Sequence, residues 1–395
     1  MGGVQEALSR IASEAFMLTS AQHLINAMLA KHEQPAVLSA VMKYETTHRS
    51  RQVVNDAMDV VGGAGICRGP SNSLGNGYMS LPIAITVEGA NILTRSMIIF
   101  GQGLNRAHPN LMQIIKTIEK GDDVEGFKKE VLGFFGHLLS NMGRSIGSAF
   151  APLGSSKGKM LNYYESNLAK QAANFAVCAD LALALGGRLK FEEMLSGRFA
   201  DAFGTLYLGY ACLWYYKQNE NVEGAKELCD LALANILVQN DAALRGIADN
   251  FPIAGIGPLM KIFLGPFKSA GPNDAMRKQA SDLITKPSQI RTLLSHGVFV
   301  SKNPKDRMNI LIKVLPDAVK ADEIQARAKK EKRDLTADEK KLIETVNSLV
   351  NDIIQVDSFD KLGIEKIAGD DYIRPALKGS RFANLKVKSA QQIKM

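Results

Sequence analysis

Residues 81–103 read LPIAITVEGANILTRSMIIFGQG, and Glu88 is the one carboxylate in this apolar stretch. Ile83, Ala84, Ile85 and Val87 precede it, while Gly89 and Ala90 follow and leave room for another molecule to approach. A carboxylate in apolar surroundings loses hydration, its pKa rises, and it becomes a general base suited to neutral pH. The plainer reading is a Glu in the first turn of a helix, where the macrodipole favours an anion. Periodicity alone favours that plainer reading.

Other signatures of chemistry are missing from the sequence. It has no Walker loop, no Gly-x-Ser-x-Gly elbow, no His-Glu-x-x-His pair and no EF-hand loop. GGAGIC, residues 62–67, follows a helical pattern and precedes a loop, so it is not a strand-to-helix dinucleotide fingerprint. The four cysteines, Cys67, Cys178, Cys212 and Cys229, form no CxxC pair, and no His stands at zinc-ligand spacing from them. They read as single, reduced thiols of a cytoplasmic protein, with no disulfide and no metal site expected.

The elements around Glu88 read as helices. Val4, Leu8, Ile11, Ala15 and Leu18 recur at steps of three and four and make one face of a first helix. Pro35 fits the first turn of a second, which runs to Val61 with Val53, Ala57 and Val60 on one stripe and Val54, Met58 and Val61 beside it. Gly62-Gly63-Ala64-Gly65 terminates it. Residues 66–83, with Gly69, Pro70, Gly75, Gly77 and Pro82, read as a loop. A third helix places Leu93, Met97, Phe100 and Leu104 at core spacing and ends at His108-Pro109. Three helices make most of an antiparallel bundle, and one face looks uncovered.

A second region begins near residue 110, with helices expected at 110–120, 124–142, 160–185, 190–217 and 221–248. Gly186-Gly187 should reverse the chain into a helical hairpin. Residues 251–272 read as a long apolar loop, and 317–341 as a charged, solvated helix face. Thr336 and Glu339 form a capping box for a helix reaching about Ile354. The fold class is therefore all-α, with a helical bundle over 1–108 and a second helical domain over 109–395.

Length and composition agree. The 395 residues are 46% hydrophobic, enough to bury a sizeable core. The net charge of +8 is scattered, and with one Trp and no interleaved aromatic and basic residues it does not read as a nucleic-acid surface. MGGVQEALSRIASEAF has no basic region followed by an apolar run, so no signal peptide is expected. No stretch reaches 18 uninterrupted apolar residues, so no spanning helix is expected either.

VEGANILTR, residues 87–95, resembles the Tyr-Glu-Gly-Thr-x-x-x-x-Arg segment of acyl-CoA dehydrogenases. Glu88 falls on the catalytic glutamate, Gly89 on the following glycine and Arg95 on the arginine. DAMDVVGGAGI, residues 56–66, resembles that family's Asp-Ala-x-Gln-x-x-Gly-Gly-x-Gly-Tyr helix end, at the separation from Glu88 that the family uses. The match is closest to the long bacterial, FadE-type subfamily. PAVLSAVMKY, AITVEGANILTRSMIIFGQG, LALALGGRLKFEEMLSGRFADAFGTLYL and IIQVDSFD all find counterparts there.

The resemblance implies an FAD-dependent enzyme of fatty acid β-oxidation, which oxidises an acyl-CoA to the trans-2-enoyl-CoA. It makes Glu88 the catalytic base and places Gly89 beside the substrate. It makes Asp59, Gly62 and Gly63 contacts to the adenosine-diphosphate part of FAD, and Ala90, Asn91 and Ile92 part of the flavin lining. It implies electron-transfer flavoprotein or a similar acceptor as partner, and either a homo-oligomer or a complementing N-terminal half. Peripheral contact with a membrane stays open.

Three features depart from the family pattern. Asp59 stands for its Gln and Ala90 for its Thr, and both changes fit the long subfamily. The family's N-terminal helical domain, its β-domain and the first helix of its bundle have no counterpart in the sequence. The expectation is thus a chain that acts with a missing half. The competing expectation is a non-catalytic helical interaction protein of the same ancestry.

Overall fold

A computed structural model describes residues 2–67, 72–103, 108–150, 160–266 and 268–354; Leu104 and most of the IIQVDSFD segment lie outside them. The described residues are helical and contain no strand. They divide into two compact units, residues 1–60 with 76–300, and 61–75 with 301–395.

The first unit opens with α1 (Gly2–Ala30) and α2 (Ala36–Val61), then α4 (Gly75–Thr86) and a single turn, α5 (Asn91–Leu93). The short α3 (Gly63–Ile66) belongs to the second unit. α5 runs on as a π-helical stretch, Thr94–Gln102. Helices α6 (Leu111–Lys120), α7 (Val124–Phe150), α8 (Met160–Ala182), α9 (Glu193–Gln218), α10 (Ala225–Asp249), α11 (Ile256–Leu264), α12 (Asp274–Thr285) and α13 (Gln289–Ser295) follow. Gly186, at φ 50°, reverses the chain between α8 and α9 as its sequence requires, since a left-handed backbone suits only glycine at low cost.

The bundle face that looks uncovered in the sequence is filled from the second region. α9 packs against α1 and the π-helical stretch, and α10 packs against α1 and α9. Phe16, Met17, Val41 and Ile99 share one core with Leu208, Cys212, Leu228 and Leu233. Residue 108 is therefore a boundary in sequence pattern and not in packing.

Four local expectations are corrected. α1 buries Ser9, Ala12, Ser13, Phe16, Ser20 and Ala21, not its Val4–Leu8–Ile11 stripe. Small residues let α9 and α10 approach, and the serines bury cheaply because Ser9 and Ser20 hydroxyls donate to Glu6 O and Phe16 O, both at 2.7 Å. In the third helix Leu93 and Met97 are exposed while Thr94, Ile99 and Phe100 are buried. The wider π-helical turn re-phases the face that a 3.6-residue repeat predicts. Residues 75–86 are helical although Pro82 lies among them, and Asn72 caps the turn before them by accepting from Leu74 N and Gly75 N at 2.9 and 3.0 Å. The 251–272 segment likewise contains α11.

Leu161–Phe191 is long and apolar enough to cross a membrane, contrary to the uninterrupted-run criterion, but half of the qualifying window is buried inside the protein. The second unit holds a hairpin of α14 (Arg307–Glu331) and α15 (Ala337–Ile354), closed by Val314, Ala321, Ile324, Ile343 and Val346. The capping box forms as read: Thr336 N donates to Glu339 Oε2 at 2.9 Å, and Glu339 N to Thr336 Oγ1 at 3.3 Å.

Candidate active site

Between α4 and α5 the chain turns through Val87–Ala90, and the two flanking helical stretches meet at a bend of 49°. Glu88 takes φ 58° and Gly89 φ 91°, two consecutive left-handed residues. Ala90 is the N-cap of the next helix, so Glu88 lies outside it. The first-turn reading of Glu88 therefore fails. A non-glycine residue held left-handed costs about 1–3 kcal/mol, and such strain concentrates at functional sites.

The loop is held by α2. Lys43 Nζ donates to Gly89 O and to Asn91 Oδ1, both at 2.6 Å. One turn further along α2, Thr47 Oγ1 accepts from Asn91 Nδ2 at 2.9 Å. Hydrogen bonds from a charged donor contribute about 1.5–3 kcal/mol each, so Lys43 is able to offset the strain at Glu88. Asn91 thus turns its side chain inward to Lys43 and Thr47 and leaves only its backbone for other contacts.

Beyond the loop, Arg95 is fixed by Asp201 of α9 through two bonds. Tyr44 donates to the same carboxylate at 3.3 Å. Asp201 raises the Arg95 pKa, while burial first and Asp201 second raise that of Tyr44. Gly197 makes this geometry possible, because a Cβ there would lie 2.4 Å from Arg95 Nη1.

Glu88 itself is exposed, so the apolar enclosure expected around it is not provided by the described residues of this chain. Its flanks are apolar and open: Ile83 is 67% and Ile92 82% exposed, with Val87 and Met97 also on the surface. Gly89, Ala90, Asn91 and Ile92 are contiguous with Glu88. Asp59 is exposed near the end of α2. Gly62, at φ 68°, and Gly63 belong to the second unit, with exposed backbone and nothing within 4 Å of where a Cβ would stand.

Lys43, Thr47 and Asp201 were not legible as site residues. The available signal was the spacing of Lys43 and Thr47, which puts both on one face of a helix. A second cluster had no signal at all. His108 Nε2 and His137 Nδ1 each lie 3.1 Å from one oxygen of the buried Asp180. These three groups are close enough to hold a metal ion. However, His108 Nδ1 accepts from the backbone N–H groups of Asn110 and Leu111 at 3.2 and 3.1 Å. That assigns the ring proton to Nε2, facing Asp180, whereas a metal there requires Nε2 unprotonated. The cluster is a hydrogen-bonded carboxylate bridge. The buried thiols offer no nucleophile either, since burial pushes Cys178 and Cys212 up to about 12.

Residues 105–336 match the family described as acyl-CoA dehydrogenase, C-terminal, bacterial type, and residues 2–100 match the acyl-CoA dehydrogenase C-terminal domain. Among solved structures, the chain is similar to an acyl-CoA dehydrogenase complexed with FAD from Bacillus anthracis, with a TM-score of 0.54 and 13% identity. That match covers 71% of this chain and 48% of the other, so the chain spans about half the length of the Bacillus protein, and the likeness is one of fold.

Proposed function

We propose a function from the premise that this chain belongs to the acyl-CoA dehydrogenase family, which is FAD-dependent: it supplies the general base for the oxidation of an acyl-CoA to its trans-2-enoyl-CoA. One observation carries the reading. At the family's base position Glu88 is held left-handed outside any helix, anchored from beneath and open toward solvent.

The α-proton of a thioester is weakly acidic, so its removal needs both a base and a way to hold charge on the carbonyl oxygen. In this reading the Glu88 carboxylate takes the proton, and the Glu88 backbone N–H donates to the thioester oxygen. Gly89 lets substrate approach closely. FAD, when bound, supplies the acceptor for the β-hydrogen as hydride. Ala90, Ile92 and the backbone of Asn91 would line its flavin, while Asp59, Gly62 and Gly63 are, by the family resemblance, separate contacts to the adenosine-diphosphate part, usually of a neighbouring subunit's FAD. They fit in that they are exposed or partly so, and two are glycines with open space over the backbone.

The open apolar flanks at Ile83, Val87 and Ile92 support the same assignment, because an acyl chain and a flavin ring both need apolar cover. A dry cleft over Glu88 has to be closed by parts outside the described residues, and we assign that closure to a complementing N-terminal half or a neighbouring subunit. An electron-transfer flavoprotein or similar acceptor would then reoxidise the flavin.

The test is flavin bleaching by acyl-CoA in the FAD-loaded assembly. Glu88→Gln keeps the size and the N–H but cannot accept the proton. Bleaching is expected to slow by roughly 10²–10⁴-fold, the usual contribution of a general base. An unchanged bleaching rate removes Glu88 from the mechanism.

A further inference from the structure

Lys43 is unusual among the lysines in what it holds. It lies partly buried on α2, and among the described residues it forms no ion pair. Its two hydrogen bonds go to neutral oxygens, the Gly89 carbonyl and the Asn91 side-chain amide, both at 2.6 Å. Asn91 is in turn fixed by Thr47, whose hydroxyl donates to Lys43 O at 2.7 Å. The result is a closed ring of hydrogen bonds joining two consecutive turns of α2 to both sides of the peptide after Gly89.

We infer that Lys43 is the positioning residue of the base loop: through the Gly89 carbonyl and Asn91 it holds Glu88 and its backbone N–H in the left-handed conformation. The inference rests on the reading of Glu88 as the base. Three facts point the same way. First, the strained residues are adjacent, Glu88 at φ 58° and Gly89 at φ 91°, and a short loop with two left-handed residues relaxes unless something outside it fixes its carbonyls. Second, among the described residues the Gly89 carbonyl has one further side-chain partner, Thr94 Oγ1, at 3.4 Å, which is long for a hydroxyl donor. Third, the clamp engages the loop from beneath and leaves the Glu88 side chain on the exposed side. The base keeps its own torsions while its backbone does not move. A donor with a full charge does this better than a neutral one because charge-assisted bonds are about twice as strong.

The test compares Lys43→Met and Lys43→Arg in the full chain, with no cofactor needed. Amide exchange over residues 87–91 is expected to quicken about tenfold in Lys43→Met, to stay near the parent rate in Lys43→Arg, and to be unchanged in α9 and α10. The ¹³C resonance of the Gly89 carbonyl is expected to move in Lys43→Met, where the hydrogen bond to it is lost, and to stay near the parent position in Lys43→Arg. In the FAD-loaded assembly Lys43→Met is expected to lower kcat with KM little changed. Parent-like exchange and an unmoved Gly89 resonance in Lys43→Met would overturn the inference. So would an equal rise in exchange across the whole chain, which makes Lys43 a general stability residue. The exchange and resonance readouts need no turnover. A clamp that passes them beside a Glu88→Gln variant that still bleaches flavin would therefore sink the proposed base and not the clamp.

Discussion

Arg95 and Asp201 meet in a two-point ion pair, with Nε 2.7 Å from Oδ1 and Nη2 2.5 Å from Oδ2. Arg95 lies in the helical stretch that follows the Glu88 loop, and Asp201 lies on α9, so the pair ties that stretch to the second region. Both side chains are about one-third exposed, 33% and 32%. Solvent screening therefore keeps the pair's worth near ~1 kcal/mol despite its geometry. We expect Asp201→Asn to destabilise by about that amount, and Arg95→Lys to do nearly as much because an ammonium cannot reproduce the fork. Urea unfolding of both single variants and the double variant measures the coupling. Strict additivity of the two would show that the pair contributes nothing.

Arg49 should behave differently, because it is buried. Its guanidinium bonds Glu45 at 2.6 Å, Glu14 at 3.0 and 3.1 Å, and Gln239 at 2.8 Å. Arg49→Met leaves the buried Glu45 and the partly buried Glu14 without a counter-charge and is expected to cost about 3–5 kcal/mol. Burial is the main cause of the raised Glu14 pKa, with Arg49 opposing it. A carboxyl whose folded pKa lies above its unfolded value binds more protons when folded, so its contribution falls as pH rises through that window. Glu14→Gln should thus be mild or stabilising near neutral pH and should flatten the pH dependence above the usual carboxylate range. Denaturation midpoints taken against pH decide both points.

The His108 bridge predicts acid sensitivity of α6. Burial lowers the His108 pKa, Asp180 opposes this, and His137 reinforces it. The unfolded chain then binds more protons between the folded value and about 6.5, so stability is present above that pH and is lost as pH falls. Protonation also removes the Nδ1 acceptor that holds Asn110 N and Leu111 N. The protection of the Asn110 and Leu111 amides, taken relative to intrinsic exchange at each pH, should fall between about pH 7.5 and pH 5.5. A His108→Phe variant should lack this pH response. Identical protection at the two pH values in the parent protein would refute the prediction.

FAD binding by this chain alone should be weak. Of the residues expected to meet the cofactor, Gly62, Gly63, Ala90 and Ile92 offer backbone or apolar surface, and the Asn91 side chain is engaged by Lys43 and Thr47. Asp59 alone offers a free polar side chain, and as an anion it does not favour a pyrophosphate. Titration by flavin fluorescence should show no saturation at equimolar FAD, and supplying the complementing half should restore a yellow complex. Stoichiometric FAD on the purified chain would disprove this.

Much of this protein can be read from local residue pattern. The all-α class, most helices after residue 110, the reversal at Gly186 and the Thr336–Glu339 box follow from periodicity, backbone preference and capping, which operate within a few residues. Glu88 was singled out by the resemblance of two short motifs to a family, while periodicity alone favoured a first-turn residue, which its left-handed backbone outside the helix overturns. Tertiary structure decided which faces are buried and what holds the loop around Glu88. α1 buries serine and alanine because α9 and α10 come close, and the π-helical stretch turns Ile99 inward beside Phe100 where a regular helix would turn Met97. Lys43 reaches Gly89 across 46 positions and Arg95 reaches Asp201 across 106. No local pattern encodes such pairings, because burial and ion pairing depend on which surface arrives opposite, and that is settled only when the whole chain has packed.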